Sequence, residues 1–226
     1  MNKLSIRYDY LILIAMIYVA VDLSSMVFAY KIIEIGPLIG AASSLIFPAT
    51  YSIMDIIAEV YGHKIAKKIV WYAFACDLIF TTLVSVISHI PSTNQTETIA
   101  YIHIFGPLLR AVFAQMIGVL AGAFINIYLI SKWKILVNGR YFWLRSIGSS
   151  TIGEAAMLVI SVFIALVGVL PMNKLVQLIM YTYCYKIIFA IVVAPIVSIA
   201  ATLLKNKIGD GNFNGLSFGS LHTLNN

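Results

Sequence analysis

Two acidic side chains lie four residues apart at the end of a long apolar stretch. Asp55 and Glu59 belong to the segment FPATYSIMDIIAEVYGHKIAKK at 47–68. Residues at this spacing share one face of a helix, and we expect that face to turn toward the interior. Glu59 is close to the basic cluster that follows, so an ion pair with that cluster is open to it beside a functional role. Asp55 lies one turn deeper, which favours a gating or proton-handling role.

Five more charged side chains and two amides interrupt apolar runs. They are Asp22, Asp77, Arg110, Glu154, Lys186, Gln115 and Asn126. A charge near the centre of a membrane helix costs about 2.5–3.5 kcal/mol, so these groups must face inward, pair or be protonated. Together with Asp55 and Glu59 they give an excess of acids over bases. That excess suits proton carriage or the binding of a substrate rich in N–H donors.

The individual positions predict different roles. Glu154 follows a glycine two turns into its apolar run, which makes it the best candidate to accept N–H groups of a ligand. We expect Lys186 and Arg110 to balance part of the acid excess. Asp22 and Asp77 are equally suited to pairing with those cations or to a place on a transport path. The two amides are expected to form hydrogen bonds between helices.

The composition places the chain in a bilayer. Hydrophobic residues make up 61% of the chain, charged residues 11%, and the mean hydropathy is +0.96. A helix needs about 20 apolar residues to cross the hydrocarbon core. Six stretches meet that length: Tyr10–Tyr30, Leu38–Ala58, Ile69–His89, Leu108–Ile130, Ile147–Leu170 and Leu175–Leu204. The sequence therefore predicts an all-α integral membrane protein with six transmembrane helices.

The distribution of Lys and Arg predicts the orientation. With both termini in the cytoplasm, the cytoplasmic side carries Lys3, Arg7, Lys64, Lys67, Lys68, Lys132, Lys134, Arg140, Arg145, Lys205 and Lys207. Only Lys31 and Lys174 then lie outside. This asymmetry follows the positive-inside rule. We expect one transport domain over residues 1–207 and a disordered tail rich in Gly, Asn and Ser over 208–226.

Prolines and small residues suggest how the helices are shaped. Pro48 and Pro195 should each kink a helix, because proline lacks the N–H that the helix needs. Glycine clusters in the fourth and fifth spans should let backbones approach closely. The segment 91–106 is predicted to be an external loop, polar at first and aromatic later, and an interfacial position is favoured over a lid.

The sequence offers no metal site, cofactor motif or catalytic pair. Cys76 and Cys184 lie inside apolar runs, and the four histidines show no metal-ligand spacing. No nucleophile with a neighbouring base and no nucleotide-binding loop is seen, which argues against an enzyme. The cations are dispersed rather than gathered in one stripe, which argues against nucleic acid as a partner.

The segment at 47–68 resembles a signature of the queuosine precursor transporters, a family also called vitamin uptake transporter-like. The pattern F-P-x-T-Y-x-x-x-D-I-I-x-E-V-Y-G and the following A-K-K are met by Phe47, Pro48, Thr50, Tyr51, Asp55, Ile56, Ile57, Glu59, Val60, Tyr61, Gly62, Ala66, Lys67 and Lys68. A second element is met by Leu144 to Ser149, Thr151, Gly153 and Glu154, and a third by Lys186 and Pro195. The resemblance covers approximately residues 10–205. The chain departs from it at Ala123 and Met157, where many members carry a carboxylate.

The resemblance implies import of 7-cyano-7-deazaguanine, 7-aminomethyl-7-deazaguanine or queuine across a bacterial inner membrane, by secondary transport with proton coupling as one option. The chain would have no cofactor, and a homo-oligomer is left open. Three alternatives stay open: the substrate-binding subunit of an energy-coupling-factor importer, an integral membrane enzyme and a purely structural membrane subunit. Copurifying ATPases would favour the first.

Overall fold

A computed structural model describes residues 3–36, 38–136 and 142–208. The helices are α1 (Lys3–Val27), α2 (Ser43–Ile46), α3 (Pro48–Tyr61), α4 (His63–Ser88), α5 (Gln95–Phe105), α6 (Leu108–Leu136), α7 (Phe142–Leu166) and α8 (Met172–Ile208). Two short antiparallel strands, β1 (Ile32–Ile35) and β2 (Leu38–Ala41), form a hairpin between α1 and α2. The chain is therefore mostly helical, as predicted, with one small β element that was not predicted.

Four helices in the described part of the chain are long and apolar enough to cross a membrane. They cover Ile6–Val27, His63–Ser88, Gln95–Leu129 and Met172–Ile208. The first, third, fourth and sixth predicted spans overlap these helices, although the first was predicted to continue to Tyr30 and the helix ends at Val27. The fifth predicted span lies on α7, whose described apolar part is the shorter helix Thr151–Leu166.

The second predicted span is wrong as one continuous helix. Its first residues, Leu38–Ala41, form strand β2, and the helical part starts at Ser43. β-branched residues surround Gly36, whose φ of +60° glycine adopts at little cost, so this sequence favours a hairpin. The helix is then interrupted at Pro48, which cannot donate the next helical hydrogen bond, although Phe47 keeps a helical backbone conformation. Pro48 thus breaks the helix where a kink was predicted.

The predicted external loop at 91–106 is largely helical. Helix α5 begins after Asn94, whose side chain accepts a hydrogen bond from the backbone N–H of Thr96. Such a cap satisfies one of the N–H groups that a helix start leaves without a partner. Pro195, in contrast to Pro48, lies inside the continuous helix α8.

The long helices run between two ends of the molecule. The end at which α1 begins and α8 ends is called the terminal face, and the end that carries the β hairpin is called the hairpin face. One apolar cluster near the terminal face joins Tyr18, Ile57, Tyr61, Ile69 and Ile208. Another, near the hairpin face, joins Leu166, Leu175 and Leu178.

Glycines let α6 and α7 touch along their backbones. A Cβ added to Gly122 would lie 2.6 Å from the carbonyl oxygen of Gly153, and one added to Gly153 would lie 2.8 Å from that of Gly122. A Cβ at Gly118 would meet the Ser161 hydroxyl and the Met157 carbonyl. The prediction that small residues allow close packing here is confirmed, and the resulting contact fixes the part of α7 that carries Glu154.

Some predictions fall on residues that the structure does not describe. Ile208, the first residue of the predicted tail, still belongs to α8. The tail residues 209–226 and Arg140 lie outside the described residues, as do the side chains of Lys3, Lys134 and Arg145.

Candidate functional site

Two cavities meet in the middle of the bundle. The terminal cavity, about 590 Å³, lies between α3, α7 and α8 and extends toward the terminal face, where Lys205 lines it. The hairpin cavity, about 150 Å³, extends the other way, toward Met26 and Leu178. Both cavities are lined by Pro48, Tyr51 and Lys186. We call this shared boundary the partition.

Lys186 is the charged centre of the partition. Its Nζ lies 3.1 Å from Oε2 of Glu154 and 4.0 Å from the centre of the Tyr51 ring. The Lys186 side chain is 13% exposed and that of Glu154 47%, so the Glu154 side chain is open to the cavity whereas Nζ of Lys186 is buried. The 3.1 Å contact lacks hydrogen-bond geometry, and Nζ makes no hydrogen bond to any described residue. Lys186 therefore keeps N–H donors that another group can use.

Tyr51 is held from two sides. Its hydroxyl donates to the Met157 sulfur at 3.4 Å, and Phe47 packs edge-on with ring centres 5.3 Å apart. Tyr51 lies in the first turn of α3, just after the break at Pro48 and one turn before Asp55. An ammonium group over an aromatic face gains about 0.5–2 kcal/mol, depending on how far it is desolvated. The ring therefore both closes the partition and helps to position Lys186.

Asp55 and Glu59 line the terminal cavity together, in agreement with their shared helical face. Glu59 forms an ion pair with Lys205 of α8. The predicted ion pair exists, but its partner is on α8 and not in the basic cluster at 64–68. The reason is that Lys205 approaches from the facing helix, whereas that cluster belongs to the following helix, α4. Asp55 is exposed to the cavity, and the charge of Glu154 acts on it.

Arg110 does not pair with an interior acid as predicted. Its Nε donates to the carbonyl of Ile164 at 2.6 Å and its Nη2 to that of Val167 at 2.7 Å. The Tyr30 hydroxyl donates to the neighbouring Ala165 carbonyl at 3.0 Å. The last carbonyls of a helix lack helical partners and carry partial negative charge, which attracts a cation. Arg110 therefore caps α7 near the hairpin face.

Asn126 lies on the far side of Glu154. A small space of about 180 Å³ between α6 and α7 is lined by Asn126, Glu154, Met157 and the crossing glycines. Oδ1 of Asn126 is buried without a hydrogen-bond partner among the described residues. Gly153, which we expected to clear space for the carboxylate, mainly clears space for the backbone of α6.

The other predicted site residues lie away from the partition. Asp22 and Asp77 are buried between α1 and α4, at 2% and 0% exposure. Gln115 reaches both regions, because it bonds to the Asp22 carboxylate and also lines the hairpin cavity. The structure thus brings Asp55, Glu59, Glu154 and Lys186 to one cavity and leaves the buried aspartates in another place.

Sequence reasoning missed Tyr51, Met157 and Lys205 as parts of the site. A signal for Tyr51 was present, because it lies four residues before Asp55 and so shares its helical face. Met157 occupies the position where the resembling family often carries a carboxylate. No sequence signal pointed to Lys205, because its partner is distant in the chain and the two meet only through packing of α3 on α8.

Comparison with known proteins gives one consistent result. Residues 41–200 match a protein-family model described as "Putative vitamin uptake transporter". A protein of Bacillus subtilis (strain 168) named "Probable queuosine precursor transporter" is 23% identical over 178 residues, which is 78% of each chain. No solved structure shows a significant match to the chain. The matched region includes the partition and every residue of the terminal cavity except three near its end.

Proposed function

Since the chain belongs to the vitamin uptake transporter family, we propose that this multi-pass bacterial membrane protein imports a queuosine precursor. The candidate substrates are 7-cyano-7-deazaguanine, 7-aminomethyl-7-deazaguanine and queuine. The name of the Bacillus subtilis relative supports this substrate class. Secondary transport is the proposed mode.

One observation carries the proposal: Lys186, which pairs with Glu154, and the Tyr51 ring lie at the boundary between two cavities that extend toward opposite faces. Transporters that work by alternating access hold their substrate near the middle of the membrane, often beside a broken helix. Here the helix is interrupted between α2 and α3, at Phe47 and Pro48, close to Tyr51. Movement of the partition would make the bound substrate accessible first from one cavity and then from the other.

Tyr51 and Lys186 of the partition, together with the neighbouring Glu154, match the chemistry of a guanine-like base. Adjacent N–H donors on its edge can be accepted by the two oxygens of the Glu154 carboxylate. Its carbonyl oxygen can accept an N–H from Lys186, and its flat face can stack on Tyr51. In the structure Lys186 contacts both Glu154 and the Tyr51 ring, so a bound ligand would replace these contacts with its own. A volume of about 590 Å³ lies in the range of small-molecule sites.

The charges at the two faces support an orientation with both termini in the cytoplasm. The described cations near the terminal face are Arg7, Lys64, Lys67, Lys68, Lys132, Lys205 and Lys207, whereas those near the hairpin face are Lys31, Lys174 and Arg110. Cytoplasmic ends of membrane helices are enriched in Lys and Arg. The hairpin cavity would then admit substrate from outside, and the terminal cavity would release it.

Glu154→Gln tests the proposed recognition. The amide keeps the shape but loses the charge and one acceptor, so affinity for 7-cyano-7-deazaguanine should fall by about 2–4 kcal/mol, or about 30- to 900-fold. Binding is measured on purified protein, and uptake in a strain that cannot make deazapurines. Glu34→Gln is the matched control, because Glu34 forms an exposed pair with Lys174 at 3.4 Å on the hairpin face. Equal binding by Glu154→Gln and the parent would refute the assignment.

Uptake also separates this proposal from its alternatives. The chain reconstituted alone in liposomes should carry the labelled base across the membrane. Transport only with copurifying ATPases would identify an energy-coupling-factor subunit instead. Chemical conversion of the base during transport would point to an enzyme.

A further inference from the structure

A second set of polar side chains lies between α1, α4 and α6. Its centre is two carboxyl groups, Asp22 on α1 and Asp77 on α4, whose residues are 2% and 0% exposed. They are close enough for the charge of Asp22 to act directly on Asp77. Neither residue lines the terminal or the hairpin cavity. The pair is therefore distinct from the proposed ligand site.

The carboxyl oxygens of this pair are left largely without partners. Both Oδ atoms of Asp77 are buried and make no hydrogen bond to the described residues, and the same holds for Oδ1 of Asp22. Gln115 of α6 supplies a single side-chain hydrogen bond, to Asp22. Buried polar atoms are normally hydrogen-bonded, so an entirely buried carboxyl without a partner indicates a group that takes up something else.

Neither Asp22 nor Asp77 forms an ion pair with a cation in the described part of the chain. The titratable groups that face it are Tyr18 on α1 and Tyr51 on α3. Thr81 on α4 donates at 2.7 Å to the backbone carbonyl of Asp77, not to its carboxyl group. Two adjacent carboxylates cannot both stay ionised in a medium of low dielectric without a compensating charge.

We propose that Asp22 and Asp77 together bind a single proton and form the proton site of the transporter. This proposal rests on the proposed transport function and names its coupling ion. With the proton bound, the two carboxyl groups together carry one negative charge. After release it carries two, which the dry interior disfavours. Release therefore requires a conformation in which water or another polar group reaches the pair.

Two residues link this site to the partition. Gln115 bonds to Asp22 and lines the hairpin cavity. Tyr51 lies under Lys186 and is also close enough to Asp22 to interact with its charge. A change in the charge of the pair thus acts on residues that border the ligand site. One proton would enter with each ligand and leave toward the terminal face.

Infrared spectroscopy of the full chain in lipid nanodiscs tests the site without transport. A carboxyl C=O band should be present near neutral pH in the parent and disappear in the double variant Asp22→Asn, Asp77→Asn. The control Asp9→Asn, exposed near the start of α1, should keep the band. An unchanged band in the double variant would overturn the proposal. If the double variant does not fold, Asp77→Asn alone should shift the pH at which the remaining band titrates, and an unchanged titration would count against a shared proton.

Proteoliposomes test the coupling. An acid-outside pH gradient should concentrate labelled 7-cyano-7-deazaguanine in parent liposomes, whereas the double variant should reach only the outside concentration. Exchange of labelled for unlabelled base, which needs no net proton transfer, should continue in the double variant. Accumulation that is unchanged by the double substitution, or driven by a sodium gradient instead, would refute proton binding by this pair as the coupling step.

The two measurements separate failure of this inference from failure of the proposed function. If the base neither binds nor exchanges in the parent, but the infrared band titrates and disappears in the double variant, the proton site stands and the substrate is wrong. If the base is transported and the band is unaffected by either substitution, the substrate stands and the proton site is wrong.

Discussion

The terminal cavity and the aspartate pair differ in how their acidic side chains are neutralised. In the cavity each of two acids has a cation: Glu154 has Lys186 and Glu59 has Lys205. Between α1 and α4, Asp22 and Asp77 are buried and form no ion pair with a described residue, and three of their four carboxyl oxygens are buried without a hydrogen-bond partner. The carboxylates of both ion pairs are partly exposed, whereas Asp22 and Asp77 are 2% and 0% exposed. The burial is therefore deepest where the charge is least compensated.

This difference separates two kinds of function. A partly exposed ion pair can exchange its partner for a polar ligand at small cost, because water and ligand both replace the lost contact. A buried carboxyl pair cannot exchange partners in that way, and a proton is the ligand that removes its charge without requiring space. The first arrangement suits substrate recognition, and the second suits ion coupling.

Among the substitutions in the terminal cavity, Lys186→Met should reduce ligand affinity the most. It leaves Glu154 without its cation and removes the ammonium group from the Tyr51 face, so ligand affinity should fall by about 2 kcal/mol or more, which is at least about 30-fold. Lys174→Met on the same helix removes an exposed ion pair and should change little. Binding and membrane abundance are measured for both. Similar effects of the two substitutions would show that the partition has no special role.

Tyr51→Leu should have the next largest effect, because it removes the ring that both cavities share. Loss of the cation–π contact alone costs about 0.5–2 kcal/mol. Tyr51→Phe keeps the ring and loses only the hydroxyl contact to the Met157 sulfur, so it should retain most of the binding. Ligand titrations of the two variants decide the matter. Equal losses in Tyr51→Phe and Tyr51→Leu would show that the hydroxyl, and not the ring face, carries the role.

The sequence predicted the long helices because their signal is local. Twenty apolar residues are read directly from hydropathy, and Glu154 and Lys186 stand out inside such runs. The same measure could not distinguish strand β2 from helix at Leu38–Ala41, since both are apolar. The partners of Glu59 and Arg110 were predicted wrongly because they depend on which helices pack together. The sequence likewise could not show that Asp22 meets Asp77 rather than a cation.

Asp55→Asn decides which acid handles the proton. Asp55 lines the terminal cavity and feels the charge of Glu154, so its loss should reduce the uptake rate several-fold while membrane abundance is unchanged. Accumulation driven by a pH gradient should nevertheless persist, in contrast to the double variant of Asp22 and Asp77. Uptake is measured in proteoliposomes with and without the gradient. Loss of the gradient response in Asp55→Asn would move proton handling from the aspartate pair to the cavity.

Glu59→Gln should have the smallest effect of the acid substitutions. Glu59 lies beyond the predicted span Leu38–Ala58 and its side chain is 62% exposed, so its pair with Lys205 should contribute less than about 1 kcal/mol. The pKa of the Glu59 carboxyl lies below its usual range, because Lys205 donates a hydrogen bond to it and adds a positive charge. A lowered pKa stabilises the fold above the unfolded value of about 4.3, and this stabilisation is lost as the pH falls through the folded pKa. Thermal unfolding of parent and variant should therefore differ slightly at pH 7 and converge at acid pH. A difference that persists at acid pH would mean that Glu59 contributes through packing in the cavity and not through its charge.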